Sequence, residues 1–216
     1  MNWQSAHFDQ VVAGLRHVEV ELHGSVTDSG RLDGWSDLDL RLSTDRQVPV
    51  AALTLGTEVW AYEDVRMSTS EICRTVLGDG RRLDVSISGA GRIAGLKPAE
   101  DNDIRFLAAM AAAKLGRADR LIAGHLTLEL ARRCLVVAMQ LRDRDVGTTV
   151  HRHGSDRDRY ADQVMGLARL PLAITPRPNI VERAVELYAT WRAELDPTYR
   201  PDWSALTALI ERGLGQ

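Results

Sequence analysis

The sequence predicts an α+β fold, in which an N-terminal domain with a short mixed or antiparallel sheet and flanking helices is followed by a C-terminal α-helical bundle. Through most of the first 96 residues the apolar side chains alternate with polar ones, which is typical of half-buried strands. Beyond the segment GAGRIAGLKP their spacing changes to that of helices, and glycine and proline mark the change. We therefore expect two domains, residues 1–96 and 97–216.

The N-terminal elements follow from their apolar spacing. Phe8, Val11, Val12 and Leu15 recur at helical spacing, so a helix is expected first. HVEVELHGS alternates as a strand does, VTDSGRLDGWS has the composition of a turn, and strict alternation returns in DLDLRL. EVWAYEDVRM, EICRTVLG and RRLDVSIS are further predicted strands, and a Gly-Asp-Gly turn between the last two predicts a hairpin.

The C-terminal half reads as a series of helices. Ser155 and Asp158 are spaced as a capping box, and Pro171, Pro176 and Pro178 separate two helices because proline cannot continue one. The apolar spacing predicts helices at about 101–115, 119–143, 155–168, 179–195 and 202–213.

Composition excludes several classes of protein. A chain of 216 residues with 44% apolar residues can bury a core, and a net charge of −3 lacks the basic surplus of most nucleic-acid-binding proteins. Residues 1–96 carry 14 acidic and 9 basic side chains, whereas residues 97–216 carry 16 and 18. The acidic half suits metal ions and the slightly basic half suits phosphates. We expect no nucleic-acid partner.

The lack of a recognisable targeting signal and the placement of the cysteines predict a cytoplasmic protein. The opening residues MNWQSAHFDQ have neither the basic start nor the apolar run of a secretion signal, and no later segment is apolar for long enough to cross a membrane. Cys73 and Cys134 lie far apart without metal-ligand spacing, so we expect buried free thiols.

The most informative stretch is LHGSVTDSGRLDGWSDLDLRL, in which Gly24-Ser25 and Asp37-Leu38-Asp39-Leu40 are separated by eleven residues. Side chains two apart on a strand share a face, so both aspartates can converge on one cation, and their hard oxygens suit Mg²⁺. Gly24 permits close approach of the backbone, and Ser25 can donate hydrogen bonds to a phosphate oxygen. The stretch therefore predicts a phosphate-binding turn beside a magnesium site.

At these residues the sequence resembles the DNA polymerase beta superfamily of nucleotidyltransferases, whose signature is Gly followed by Gly or Ser, a gap of this length, and Asp-apolar-Asp-apolar. That family has a third carboxylate between apolar residues of a later strand, and Asp84 in RRLDVSIS stands in that setting. The helical half is similar in general pattern to small streptomycin-type aminoglycoside adenylyltransferases and lincosamide nucleotidyltransferases, in AAAKLGRADRL and RDRDVGTTVHRHG.

The resemblance implies Mg²⁺-dependent transfer of a nucleoside monophosphate, AMP from ATP or the equivalent from another NTP, to a hydroxyl of a small molecule such as an aminoglycoside or lincosamide antibiotic, with release of pyrophosphate. Asp37 and Asp39 would hold Mg²⁺ against the triphosphate. Asp84 would accept the proton of the attacking hydroxyl and help to bind a second ion. Asp79 and Glu63 compete with Asp84 for this third position.

Several basic residues are candidate contacts. Arg41 extends the strand face of Asp39, where it would hold the carboxylates or, as a second choice, contact a phosphate. Lys114 could reach the departing pyrophosphate, with Arg117 as a second candidate and a solvent-facing lysine as the alternative. His151 and His153 are expected to be surface groups rather than metal ligands.

Other interpretations remain open. His23 is a candidate contact of the nucleotide, with a strand-end residue without function as the alternative. His125 is expected in a core or interface. Asp143, Arg144 and Asp145 are expected to form an ion-paired helix end, with a substrate contact by one of them as the alternative. Asp28 and Asp33 would shape the loop. The alternative functions are AMP transfer to a protein, as in a toxin-antitoxin pair, and a nucleotide-binding module without activity. A homodimer is also possible.

Overall fold

The computed structural model describes residues 3–27, 32–147 and 155–215, with the side chains of Ser25 and Val26 left out. The chain forms two compact units, one of Met1–Phe106 with Ser204–Gln216 and one of Leu107–Trp203. This division differs from the expected one at residues 96 and 97 in two respects. The boundary falls inside a helix, and the last helix of the chain belongs to the N-terminal unit.

The first unit contains a five-stranded mixed sheet, so the predicted α+β class is confirmed. Its strands are β1 Glu19–His23, β2 Leu38–Ser43, β4 Val59–Arg66, β5 Ser70–Leu77 and β6 Arg82–Ser88. The strand order is β1-β2-β6-β5-β4, with β2 and β6 parallel and the other neighbours antiparallel. Each of these strands matches a predicted one, and β5 and β6 form the expected hairpin.

One face of the sheet is buried because leucine, valine and isoleucine occupy alternate positions of the central strands. A helix α1 (Trp3–Gly14) contributes Val11 to the same core, as predicted from its apolar spacing. In the five-stranded sheet, the fully or almost fully buried residues of this core are Leu38, Leu40, Leu42, Cys73, Leu77, Leu83, Val85 and Ile87. The intervening side chains lie on the opposite face, which carries the candidate site.

Three short elements were not predicted from the sequence. Strands β3 (Gln47–Pro49) and β7 (Arg92–Ala94) pair in parallel as a small second sheet, and helix α2 (Val50–Thr54) follows β3 directly. Elements of three to five residues are too short for a periodic pattern to be recognised. The segment GAGRIAGLKP, interpreted as punctuation, therefore contains a strand.

The second unit is helical, and the boundary between the units lies within helix α3 (Asn102–Gly116). The observed helices agree with the predicted ones within a few residues, and Ser155 and Asp158 form the predicted capping box. The helices from this point on are α3 Asn102–Gly116, α4 Arg120–Val146, α5 Arg159–Leu167, α6 Ile180–Leu195 and α7 Ser204–Leu214. None of the helices in the described part of the chain is long and apolar enough to span a membrane.

Helix α4 packs against α5 and α6 in the second unit. Leu130 and Leu141 of α4 are buried, and Tyr160 stacks on Trp191 with ring centroids 4.7 Å apart. Cys134 is also buried here, and both cysteines are free thiols as predicted. His125 is exposed on α4, so its expected place in a core is wrong, and a place in an interface stays a prediction.

Helix α7 packs within the first unit, although it comes from the C-terminal end of the chain. Gly213 lies against the ring of Trp35, and Gly80, in the turn between β5 and β6, lies against the backbone at Leu209. Arg212 donates a hydrogen bond to the carbonyl oxygen of Asp79 in the same turn. The helix therefore supports both the loop before β2 and the hairpin that leads into β6.

Candidate active site

A row of five polar side chains crosses the open face of the sheet, one from each strand. The register places His23 beside Asp39, Asp39 beside Asp84, Asp84 beside Arg74, and Arg74 beside Glu63. Directly opposed residues of neighbouring strands point to the same face. The predicted residues Asp39 and Asp84 are therefore immediate neighbours, although 44 positions of sequence separate them.

Gly24 closes one side of Asp39. It follows β1 with a φ of +66°, a conformation that favours glycine, and a Cβ built on it would lie 2.2 Å from Oδ2 of Asp39. Thr27 fixes the short 3₁₀ turn Gly24–Thr27 by donating from its hydroxyl to the carbonyl oxygen of Gly24 at 2.8 Å. Only a glycine allows the backbone to approach the carboxylate this closely.

Asp37 stands two residues before Asp39, directly before the first residue of β2. Its Oδ2 is 3.3 Å from Nη1 of Arg82, whose side chain is 90% buried. Another nitrogen of Arg82 donates to the carbonyl oxygen of Trp35. Arg82 thus ties the loop before β2 to the start of β6 and holds Asp37 beside the row.

The turn that leads to Asp37 is organised by Asp33. Its Oδ1 accepts hydrogen bonds from the backbone N–H of Trp35 at 3.0 Å and from the hydroxyl of Ser36 at 2.8 Å. This is the arrangement in which aspartate side chains stabilise turns, so the expected loop-forming role of Asp33 is confirmed. Asp28 lies outside the described residues.

Arg74 holds Asp84 from the side opposite Asp39. Its Nε is 3.1 Å from Oδ2 of Asp84, and its Nη1 is 3.0 Å from Oε2 of Glu63. Partial burial disfavours the charge of Arg74, but hydrogen bonds and attraction to Asp84 and Glu63 outweigh it and raise the pKa of the guanidinium. Glu63, a rival for the third metal position, is therefore a partner of Arg74.

The other rival, Asp79, lies in the turn between β5 and β6 and not in the row. It pairs with Arg81 at 2.7 Å. Asp84 is therefore the one of the three candidates that stands directly beside Asp39. The role of Asp84 as a third carboxylate stays a prediction.

The three aspartates suit a magnesium ion in their chemistry, since their oxygens are hard ligands on one face of two adjacent strands. Within residues 3–27, 32–147 and 155–215, no group of three or more His, Cys, Asp or Glu side chains is already gathered as a metal site. Two guanidinium groups account for part of this, because Arg82 binds Asp37 and Arg74 binds Asp84. Asp37 and Asp84 each have a second carboxylate oxygen besides the one that the arginine contacts.

The remaining predicted residues are less closely tied to the row. Arg41 lies on the same face of β2, exposed, with Glu21 and Ser86 as its neighbours in register. Ser25 is described only by its backbone, in the turn after Gly24. Lys114 belongs to the second unit, where its Nζ is 3.2 Å from Oδ2 of Asp119.

Contact of Lys114 or Arg117 with pyrophosphate therefore stays a prediction. His151 and His153 lie outside the described residues. The expected ion-paired helix end is confirmed, since Asp145 binds both Arg144 and Arg157.

Arg74 and Arg82 were not predicted from the sequence. Arginine in a strand usually signals a solvated face, and nothing in the sequence says which strand lies next to β6. A signal was present for Arg82, which stands two residues before Asp84 and therefore on its face. Arg74 required knowledge of the hairpin register, in which it opposes Asp84.

Comparisons of the chain with protein-family models, with curated proteins and with solved structures found no match. The likeness to nucleotidyltransferases therefore depends on the motif residues and on their arrangement.

Proposed function

We propose that this protein is a nucleotidyltransferase that moves AMP from ATP to a hydroxyl group of a small molecule and releases pyrophosphate. One observation carries the proposal: Asp39 and Asp84 stand side by side on parallel strands, and the Gly24 turn closes on the Asp39 carboxylate. This arrangement joins two oxygen donors to a turn whose backbone can approach a phosphate.

Each residue has a role in the proposed reaction. Asp37 and Asp39 would hold Mg²⁺, which neutralises triphosphate charge when bound. Asp84 would accept the proton of the attacking hydroxyl, since it stands beside Asp39 and has a second carboxylate oxygen. The turn at Gly24 and Ser25 would orient the triphosphate through backbone N–H groups, so that the hydroxyl, the α-phosphorus and the leaving oxygen can lie in line.

The acceptor we propose is an aminoglycoside or a lincosamide. A polycationic aminoglycoside needs an acidic surface, and the open face of the first unit offers Glu19, Glu21 and Glu63 around the aspartates. A lincosamide carries less charge and would depend on apolar contacts. We propose a cytoplasmic location, where ATP is available as the donor.

The test is transfer of label from α-³²P-ATP in the presence of Mg²⁺ and a panel of both antibiotic classes, with pyrophosphate release as a second readout. Asp39→Asn should abolish transfer without loss of the folded state. Asp9→Asn, which removes a charge from an exposed position of α1, is the matched control and should leave transfer unchanged. Transfer at the wild-type rate by Asp39→Asn would overturn the assignment.

A protein acceptor is the second candidate, and exposed apolar side chains on α4 favour it. Leu121, Leu128 and Val146 of this helix are 89%, 67% and 58% exposed. Apolar surface of this kind is common where proteins meet. Label that appears on a polypeptide instead of an antibiotic would identify this function, and nucleotide binding without any transfer would identify an inactive module.

A further inference from the structure

Arg74 has an unusual combination of exposure and contacts. Its side chain is 48% exposed, yet separate nitrogens bind two carboxylates on opposite sides, Asp84 on β6 and Glu63 on β4. Exposed ion pairs of this kind contribute little to the free energy of folding. Stability alone therefore gives a weak reason for the arrangement.

The location of Arg74 suggests a reason that involves Asp84. Asp84 has the Asp39 carboxylate on one side and the Arg74 guanidinium on the other. The guanidinium engages Oδ2, which leaves Oδ1 of the same carboxylate for a cation shared with Asp39. It also places a positive charge next to two negative ones, which lowers their mutual repulsion.

Glu63 restrains Arg74 in turn. The contact from Nη1 to Oε2 fixes the far end of the guanidinium, so that Nε is directed towards Asp84. A planar guanidinium with two fixed partners has little rotational freedom. The three side chains form a line across β4, β5 and β6.

We propose that Arg74 is a positioning residue for Asp84, held in place by Glu63, and that it balances the charge of Asp84 until a metal ion and a nucleotide bind. The inference rests on the proposed function for its effect on turnover. Its effect on metal binding is independent of any acceptor. Two consequences with different readouts follow.

The first consequence concerns metal binding without nucleotide. Arg74→Gln removes a positive charge beside a proposed ligand, so Mn²⁺ should bind the nucleotide-free protein about three- to tenfold more tightly. Mn²⁺ binding is measured by electron paramagnetic resonance of the free ion. Arg46→Gln, at an exposed position in the turn after β2, removes the same charge elsewhere and should change the affinity little.

The second consequence concerns turnover. Loss of the fixed guanidinium lets Asp84 rotate, so kcat of Arg74→Gln should fall roughly ten- to a hundredfold, because misplacement of a reacting group has costs of this size. KM for ATP should change less than kcat. Arg74→Lys should recover part of the lost kcat, since lysine restores the positive charge but not the planar guanidinium that binds two carboxylates at once. Adding Glu63→Gln to Arg74→Gln should lower kcat no further if Glu63 acts through Arg74.

The outcomes separate the inference from the proposed function. Tighter Mn²⁺ binding together with a lower kcat supports both. Tighter Mn²⁺ binding by a protein that transfers no nucleotide to any acceptor supports the placement of Arg74 and rejects the function. Weaker or unchanged Mn²⁺ binding by a folded Arg74→Gln variant overturns the inference, because a side chain that serves only as scaffold would give that result.

Discussion

The indole ring of Trp35 lies directly against the backbone of Gly213, so that a Cβ on this glycine would be 2.3 Å from a ring carbon. Gly34 lies in the same contact, and a Cβ there would be 2.6 Å from the carbonyl oxygen of Arg212. Trp35 is two residues before Asp37 and accepts a hydrogen bond from Arg82. Helix α7 therefore packs against the loop that carries Asp37, a proposed metal ligand.

Gly213→Ala should destabilise the protein. Alanine raises helix propensity by about 0.5 to 1 kcal/mol, but a methyl group forced against a buried ring costs about 1 to 3 kcal/mol. The steric cost wins because Trp35 is 93% buried and cannot move aside. The measurement is urea unfolding followed by circular dichroism.

The matched control for this substitution is Gly14→Ala. Gly14 is the last residue of α1, and no atom lies within 4 Å of a Cβ built there. The stability of the Gly14→Ala variant should equal or exceed that of the wild type. Equal stability of the two variants would show that the contact between Trp35 and Gly213 is looser than described.

Gly24→Ala should impair the candidate site more than the fold. The substitution adds strain at a φ of +66° and drives a methyl group into the Asp39 carboxylate. We expect Asp39 to be displaced, Mn²⁺ affinity to fall, and nucleotide transfer to drop at least tenfold, since roughly 1 Å of misplacement has effects of this order. Mn²⁺ titration and labelled-ATP transfer measure the two effects.

Gly56→Ala separates strain from contact. Gly56 has a φ of +77°, but no atom lies within 4 Å of a Cβ built on it. Both variants carry the backbone strain of about 1 to 2 kcal/mol, and only Gly24→Ala carries the clash. If Gly56→Ala lost Mn²⁺ affinity to the same extent, the proximity of Gly24 and Asp39 would not be the cause.

Local patterns explain how much of this fold was predictable. Alternation identified β1, β2 and the later strands, and the helical spacing with the Ser155 capping box identified the bundle. These signals depend on neighbours within one turn or one pleat, which the sequence contains. Strands β3 and β7 are too short to repeat a pattern even twice.

The features that could not be predicted depend on contacts between residues far apart in the sequence. Periodicity predicted the helix at 202–213 but not which core it joins, and α7 belongs to the first unit. The motif predicted the aspartates, and the face of each follows from alternation. That Asp39 stands beside Asp84, with Arg74 behind it, depends on the strand order β2-β6-β5, which no local signal encodes.

Stability should fall with acidity because of His7. This buried histidine contacts the carbonyl oxygen of Leu53 through Nε2 at 2.7 Å, so Nε2 carries the proton and Nδ1 accepts from Nη1 of Arg81 at 2.9 Å. Burial lowers the pKa of His7 below its usual 6.5, and the charge of Arg81 adds to this effect. Protonation is thus disfavoured in the folded state.

The direction of the change in stability with pH follows from which state of the protein takes up the proton first. Below pH 6.5 the unfolded chain protonates His7 before the folded protein does, so its contribution is complete above this pH and is lost as the pH falls through the lowered pKa. His7→Gln keeps a donor and an acceptor without titrating, and should show a shallower loss of stability between about pH 7 and 5. His17→Gln, at an exposed position, should follow the wild type. If the stability of His7→Gln fell with pH as steeply as that of the wild type, the role assigned to His7 would be wrong.

Glu71 should produce the opposite trend at higher pH. Its fully buried side chain accepts from the N–H of Ile93 at 2.8 Å, and Arg66 lies between it and Asp64. In the described part of the chain, Oε1 of Glu71 and Oδ1 of Asp64 are buried and lack a donor, so a shared proton would satisfy both. Burial raises the pKa of Glu71, and the neighbouring Asp64 carboxylate raises it further.

A raised folded-state pKa means that the contribution of Glu71 is complete below its usual value of 4.5 and is lost as the pH rises through the raised value. Glu71→Gln has the shape of the protonated acid, and its amide can donate to Asp64 at every pH. It should therefore gain stability relative to the wild type as the pH is raised from 4.5 to 8, whereas the exposed control Glu58→Gln should not. Thermal unfolding across this range measures the difference, and a constant difference between Glu71→Gln and the wild type would mean that Glu71 is ionised in the folded protein throughout.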